Sequence, residues 1–512
     1  MITDLRLRTR PLARHPARAF IFLVSLALAG CAVGPDYHRP DAPAVARYTA
    51  QPLPAATATA HSVDSDSDSD DDGDAQRFLQ GRDVPARWWT TFGNDELNRR
   101  VSTALRHSPT IASAQAALRQ AQEQARAAGA VSFPSVDASA GVTRQKQSGA
   151  AFGGAFTFAP LTVYNASISV GYGIDLFGGT RRGIEAQAAL TDVQRAQTDA
   201  TYLTLAANVV TASLQEASLR EQLRATDDIL GSQRKSLQIA EQQQQFGATS
   251  LSDTLAVRTQ LAATQATLPP LRARLASTRN QLATYLGTTP AQLELAPLQL
   301  EAITLPRDIP VSLPSKLVEQ RPDIRAASAR LHAATAQVGV ATAAMLPQIS
   351  LSGSGGSQAL HAGELFSAGT RAWSLGLGLT QPLFHGGELR HKKRAAQAGL
   401  EMALADWQQT VLVAFQNVAD ALQALQFDAQ GLAAQAASEA AASQQLALTR
   451  QQYQLGATGY LELLNAERSN QQARIALIQA RTARLADTAA LYAALGGGWQ
   501  DTSAPSPIKQ NR

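Results

Sequence analysis

The stretch TVYNASISVGYGID, Thr162 to Asp175, alternates strictly. Tyr164, Ala166, Ile168, Val170, Tyr172 and Ile174 take one parity; Asn165, Ser167, Ser169, Gly171, Gly173 and Asp175 take the other. Side chains in a strand point to opposite faces in turn, so this is a strand with one apolar face and one small or polar face. Further on, Trp373, Leu375, Leu377 and Leu379 alternate with Ser374, Gly376, Gly378 and Thr380, and VDASAGV (136–142) and ISLSGSG (349–355) are shorter partners. Four strands of about 8–11 residues have the length that crosses a bilayer when tilted. A soluble four-stranded sheet with one wet face is the alternative. The Gly/Ser-rich second face and the N-terminal segment favour the membrane.

These strands sit inside an internal repeat. Ser108–Pro134, SPTIASAQAALRQAQEQARAAGAVSFP, matches Arg321–Pro347, RPDIRAASARLHAATAQVGVATAAMLP, at an offset of 213: Pro109 meets Pro322, Ile111 Ile324, Leu118 Leu331, Gln124 Gln337 and Pro134 Pro347. LFGG (176–179) answers LFHGG (383–387), and FGATSLSDTL (246–255) answers LGATGYLELL (455–464) at an offset of 209. The register slips between Pro134 and Gly178, which suggests a loop. Each half therefore reads helix, strand, loop, strand, long helix, turn, helix. The first helices are expected near 101–131 and 315–344, with Pro109 and Pro322 near their starts.

No proline falls between Leu161 and Leu268 or between Leu383 and Ala504. Residues 180–246 and 388–455 can each run as one helix of ~100 Å. Leu190, Val193, Ala196, Ala200, Leu203, Ala207, Val210, Leu214 and Ala217 form one apolar stripe; Leu400, Leu404, Trp407, Val411, Ala414, Val418, Leu422 and Leu425 form another. That spacing is coiled-coil-like, and its alanines permit close helix approach.

The N-terminus is a targeting segment: Arg6, Arg8, Arg10, Arg14 and Arg18, then apolar Ala19–Ala29, too short to span a membrane as a helix. It ends LALAGC. Cys31 is the single cysteine of the chain, and the pattern resembles a lipobox, implying cleavage after residue 30 and acyl chains on Cys31. An ordinary signal peptide with a chance cysteine is the alternative. Ala32 after the cysteine points to the outer membrane. The net charge of +4 resides in this segment, since removing five arginines and one aspartate leaves 40 bases and 40 acids. Nothing therefore argues for nucleic acid. The acidic run SVDSDSDSDDDGD (62–74) is expected to be a disordered loop. Its Asp68, Asp70, Asp72 and Gly73 open like a calcium loop, but position 12 is Leu79.

Expected divisions are a signal peptide (1–30), a lipidated extended segment with the acidic run (31–75), a first repeat (76–300), a second repeat (301–498) and a tail (499–512). The fold class is mostly α with a membrane β-barrel. Four strands cannot close a barrel, and open edges in lipid leave backbone groups unpaired. Two copies give eight strands, a filled barrel; three give twelve, wide enough for a lumen. The strands thus argue for an oligomer, a trimer above all, with the helices extending the cylinder.

From CAVGPDYHRP through RWWTTFGNDELNRRVSTAL to the LF(H)GG and GAT motifs, the chain resembles the TolC-like outer membrane factor family, near its OprM/NodT-type efflux lipoproteins. The resemblance implies a homotrimer with a twelve-stranded barrel in outer-membrane lipid and a long periplasmic α-helical barrel. It implies a mixed belt built from about 76–100, 287–314 and the tail. Its partners would be a periplasmic adaptor and an inner-membrane transporter of RND, MFS or ABC type, exporting small toxic compounds or drugs. It places the GAT turns at the periplasmic entrance. On that alignment Asp253 is an acidic latch position and Tyr453 its partner, while Thr458 stands where the family has a base. Glu462 and Asn465 fall on the aperture positions. Gly247, Ala248, Thr249, Gly456, Ala457 and Arg468 form the adaptor-contact tips. Asp253 paired with Arg258, and Glu462 with Arg468, are alternatives.

No GxxxxGK[ST], HExxH or G-x-S-x-G pattern occurs, and His385 and His391 are spaced too widely for a helical metal pair. The reading is not an enzyme, with no metal and no cofactor beyond the covalent lipid. Protein secretion through the same duct, or a lipid-anchored structural coiled coil, are the competing functions.

Overall fold

The computed structural model describes residues 32–59, 75–146 and 159–497. Cys31, the acidic run and the tail lie outside them. Leu79, the would-be twelfth position of the calcium loop, lies in a strand. In chain order the elements are β1 (Arg77–Gln80), α1 (Asp95–His107), α2 (Pro109–Ala130), β2 (Ser135–Gln145), β3 (Leu161–Ile174), α3 (Gly179–Gln245) and α4 (Leu251–Leu286). There follow β4 (Asp308–Val311), α5 (Pro314–Gln320), α6 (Pro322–Ala343), β5 (Gln348–Ala359), β6 (Arg371–Thr380), α7 (Glu388–Gln454) and α8 (Tyr460–Ala494).

The expected first helices are each broken in two. Ser108 and Arg321 are extended (ψ 126° and 124°), ending α1 and α5, and Pro109 and Pro322 start the next helix. Proline disfavours the helical conformation in the residue before it, so the break falls there. The two long helices match expectation at 67 residues each.

Compactness divides the chain into two units that cut across both repeats. The first holds residues up to Arg39, Ala121–Thr191 and Ala329–Leu404. Within it β2, β3, β5 and β6 form an antiparallel sheet in that order. The strands run longer than read, at 11, 14, 12 and 10 residues. The central pair, β3 and β5, joins the two repeats; β2 and β6 are the edges. Register puts the alternating apolar positions on one face: Val136 opposite Val170, Tyr172 opposite Leu351, Ile349 opposite Leu379, Leu351 opposite Leu377. The other face pairs Ser139 with Ser167 and Ser354 with Ser374, their hydroxyls 2.9 and 2.8 Å apart.

The second unit holds Pro40–Gln120, Asp192–Ser328 and the chain from Ala405. Its core runs along α3, α7 and α8 and closes on Trp88, Phe92 and Tyr492, whose rings pack within 6.5 Å of one another. The α7 stripe is buried from Trp407 to Leu425, and α3 buries Val193, Ala196, Leu203, Val210, Leu214 and Ala217. Leu190 and Leu404 stay exposed. The belt is partly β: β1 pairs in parallel with β4, tying the start of the first repeat to the start of the second. Arg100, wholly buried, holds the belt to α3 by donating to Glu216 (2.9 Å), Glu96 (3.1 Å) and the Ala296 carbonyl (2.8 Å).

Candidate functional site

Three features bear on function: the face of the sheet, the junction of strands with helices, and the turns of the long hairpins. On the sheet, the apolar face is bare. Trp373 is 83% exposed, and Val136, Ile168, Leu375, Leu377 and Leu379 are exposed beside it. Solvent-facing apolar area of this extent marks a surface meant for something other than water. Aromatic rings flank the band at both ends, Trp373 and Phe366 on the loop side, Phe133 and Phe384 beside the helices; such girdles sit at membrane interfaces. No helix among the described residues is long and apolar enough to cross a membrane. The sheet is the element that fits lipid.

Each strand meets a helix at the same end of the sheet. Ser135 follows α2, Ile174 precedes α3, Gln348 follows α6 and Thr380 precedes α7, and register sets Ser135 opposite Gly171, Ile174 opposite Ile349 and Gln348 opposite Thr380. The N-terminal arm docks at this junction. Val33 N donates to the Phe177 carbonyl (3.0 Å). Gly34 lies so close to α6 that a Cβ there would sit 2.5 Å from Gly339 Cα. Arg182 donates to Asp36 (2.5 Å) and Glu185 (2.8 Å), and Tyr37 stacks on His332 at 4.4 Å. Arg182 beside it holds the Asp36 carboxyl below its ordinary pKa. The first residue after the lipidation motif, Ala32, lies against Gly178 where β3 passes into α3.

The two GAT turns are built alike. In the first, Gly247 at φ 67° donates to the Gln244 carbonyl (3.0 Å) and Ala248 to the Gln243 carbonyl (2.8 Å); in the second, Gly456 at φ 70° donates to Tyr453 (3.0 Å) and Ala457 to Gln452 (2.8 Å). This is the Schellman C-cap, which needs the left-handed conformation that glycine adopts freely. The shared motif is turn geometry. The entry to the next helix differs. Ser250 Oγ accepts from Asp253 N (3.1 Å), and Asp253 Oδ2 accepts from Ser250 N (3.3 Å), Ser250 Oγ (2.7 Å) and Thr249 Oγ1 (3.3 Å). These bonds form a capping box and lower the Asp253 pKa, the Ser250 hydroxyl contributing most. Gly459 at the matching position gives α8 no side-chain cap.

The structure brings Asp253 and Tyr453 near each other. Tyr453 donates to Gln243 Oε1 (3.1 Å) and packs its ring edge on Tyr460 (5.7 Å). Burial, and then the charge of Asp253, push its phenol up. Asp253 does not pair with Arg258, which takes Glu241 at 2.7 Å. Glu462, Asn465 and Arg468 are exposed on α8; Thr458 is half-buried in the turn; Glu462 and Arg468 form no ion pair. Gly247, Ala248, Gly456 and Ala457 are exposed and Thr249 half-buried. Ala240, Val257, Tyr460 and Leu463 make a small core that holds the two tips of one chain together.

Sequence reasoning missed the contacts behind the tips. Arg450 reaches Ser232 Oγ (3.1 Å) and Glu467 (3.7 Å), and Arg474 reaches Asp228 (3.3 Å), linking the second hairpin to the first. Burial raises the Glu467 pKa against the pull of Arg450. Farther along, Asp428 on α7 faces Asp487 on α8; burial and the shared hydrogen bond push Asp428 up to about 7. Periodicity marks neither, since each acid falls among polar helix positions. The Ser250 cap was legible as serine three residues before an acid.

The sequence pattern of the outer membrane efflux protein family matches residues 101–288 and 313–497. The chain is 34% identical over 423 residues to the pyoverdine export outer membrane protein OpmQ of Pseudomonas putida, covering 81% of this chain and 89% of that one. It is 31% identical over 495 residues to outer membrane protein OprJ of Pseudomonas aeruginosa, covering 94% and 95%. Among solved structures, the outer-membrane channel OprN superposes with a TM-score of 0.80 at 32% identity, over 92% of this chain and all of that one.

Proposed function

Since this chain belongs to the outer membrane efflux protein family and resides in the outer membrane, we propose that it is the exit duct of a tripartite efflux assembly. Three copies close their sheets into a twelve-stranded barrel, four strands from each, and the long helices form the periplasmic tunnel. The observation that carries this is the sheet: one bare apolar face, one small polar face, and unpaired edges at β2 and β6 that only other copies can satisfy. A purely structural coiled coil would have no use for such a sheet.

The docked arm supports the lipid reading, because acyl chains on Cys31 would enter the membrane beside the strand–helix junction. At the far end of the long helices, three Glu462 side chains around the threefold axis form a cation-selective constriction. Asp253 and Tyr453 stiffen the tip, and with Thr458 and Asn465 in place of charges the latch rests on caps and packing. The turns, with Arg468, meet the adaptor, and a transporter of RND, MFS or ABC type supplies the energy. Cargo is small molecules rather than proteins; the pyoverdine-exporting relative supports that choice.

The test is purification in detergent and reconstitution into planar bilayers. The expected result is a trimer that conducts, with cation selectivity weakened by Glu462→Gln. A monomer that stays silent even after the tips are loosened by Tyr453→Ala would refute the duct.

A further inference from the structure

The two repeats leave the sheet through equivalent junctions, and among the described residues only one of them is covered. The helices that follow begin at Gly179 and Glu388, and the same first backbone bonds recur, Arg182 N to the Gly178 carbonyl and His391 N to the Gly387 carbonyl. On that register Arg181 corresponds to Arg390, Arg182 to His391 and Glu185 to Arg394, while the shared Leu-Phe before the turn sets Asp175 against Pro382.

In the first junction every charge is answered within the chain. Arg181 faces Asp175 at 3.5 Å, and Arg182 holds Glu185 and the arm's Asp36. Leu176 and Phe177 are half-buried, with Ala32 and Val33 against the same turn. In the second junction the acids are gone. A proline, Pro382, replaces Asp175 and a base replaces Glu185. Lys392 is paired with Glu388 at 2.6 Å, but Arg390, Lys393 and Arg394 have no ion-pair partner among the described residues. Beside them Leu383 is 90% and Phe384 87% exposed.

The described residues hold one arm and two junctions, and no described segment covers the second. In the proposed ring, the adjoining segment of a neighbouring copy brings no net negative charge. Its edge strand β2 and the end of α2, residues 121–146, carry Glu123 and Asp137 against Arg126, Arg144 and Lys146, and Glu123 already holds Arg126 at 2.6 Å.

We propose that the second junction binds an anionic phospholipid of the inner leaflet, with acyl chains on Leu383 and Phe384 and the phosphate on Arg390, Lys393 and Arg394. The first junction shows the pattern, because there an arginine and an apolar turn take a carboxylate and the arm that carries it. Guanidinium groups suit phosphate oxygens. The leaflet assignment rests on the reading that the helices lie on the periplasmic side.

The experiment titrates the delipidated full-length protein with cardiolipin or phosphatidylethanolamine and counts bound lipid by native mass spectrometry. Cardiolipin should bind roughly ten-fold more tightly, and the preference should fall in about 0.5 M salt. The triple variant Arg390→Gln/Lys393→Gln/Arg394→Gln should lose it, and Leu383→Ser/Phe384→Ser should weaken both lipids. A control on the distant helices, Arg234→Gln/Lys235→Gln/Arg272→Gln, should bind as the wild type does. Equal affinity for the two lipids, an unaffected triple variant, an equally affected control, or displacement of the lipid by millimolar inorganic phosphate would overturn the proposal. Labelling of Gly399→Cys but not of Gly363→Cys in intact cells would instead overturn the sidedness, leaving the binding result to stand.

Discussion

Gly459→Ser should convert the second tip into a copy of the first. Gly459 has φ −80° and ψ 163°, an extended conformation open to any residue, and a Cβ there meets nothing within 4 Å. Glu462 stands three residues on, as Asp253 stands to Ser250. The substitution therefore completes the pattern of a capping box. Its hydroxyl in place of glycine contributes a few tenths of a kcal/mol, and the lost freedom of the unfolded glycine about 0.4–1 more. The sum, about 1 kcal/mol, slows local opening roughly five-fold. Hydrogen exchange should show the Glu462 amide protected by about that factor. Ser250→Ala should leave the Asp253 amide about five-fold faster, since a lost serine cap costs about 1 kcal/mol. The box also draws the Glu462 carboxylate onto the helix end, so cation selectivity should fall toward that of Glu462→Gln. An unchanged Glu462 amide in a properly assembled protein refutes the capping argument. A protected amide with unchanged selectivity removes Glu462 from the constriction.

Other consequences are as direct. Arg100→Met strands the fully buried Glu216 with one partner, Arg220, and should cost about 3–5 kcal/mol in a urea melt, most of it restored by adding Glu216→Met. Leu375→Arg, in the middle of β6 on the bare face, should cost about 2–4 kcal/mol and lower the yield of assembled protein, while Ser374→Arg on the other face is tolerated. Asp428, raised to about 7, binds a proton that the unfolded chain releases near pH 4. Its contribution is complete below pH 4 and lost as pH rises through 7. Asp428→Asn should therefore flatten that decline and melt above the wild type at pH 8.

Alternation between Tyr164 and Ile174 sufficed to find the sheet and its apolar face, because strand geometry sends successive side chains to opposite faces. The long helices were legible for a similar reason: proline is absent and the stripe of α7 is apolar at every third or fourth residue. The breaks at Ser108 and Arg321 were not, since a proline at a helix start and one that splits two helices leave the same letter in the chain. Asp253 stood out as an acid in the tip; its role as cap partner lay in the spacing from Ser250, a serine three residues before it, once the turn orients both. The pairs Arg450–Glu467 and Asp428–Asp487 join helices whose relative rotation no local pattern specifies. They become visible only when the helices are side by side.

The pairing of β3 with β5 has a consequence for how such a ring could be taken apart. That joint lies between the repeats, held shut by the continuity of the chain; the joint from β6 to the next β2 would be its open counterpart, held shut by assembly. In the proposed trimer, a chain severed between α4 and β4 would leave six separate pieces, each with one hairpin and one kind of edge to offer at either side. Two polypeptides would then have to alternate around the circle. Whether first-repeat pieces accept only second-repeat neighbours, or also their own kind, would reveal which of the two seams carries the rule that limits the ring to its size.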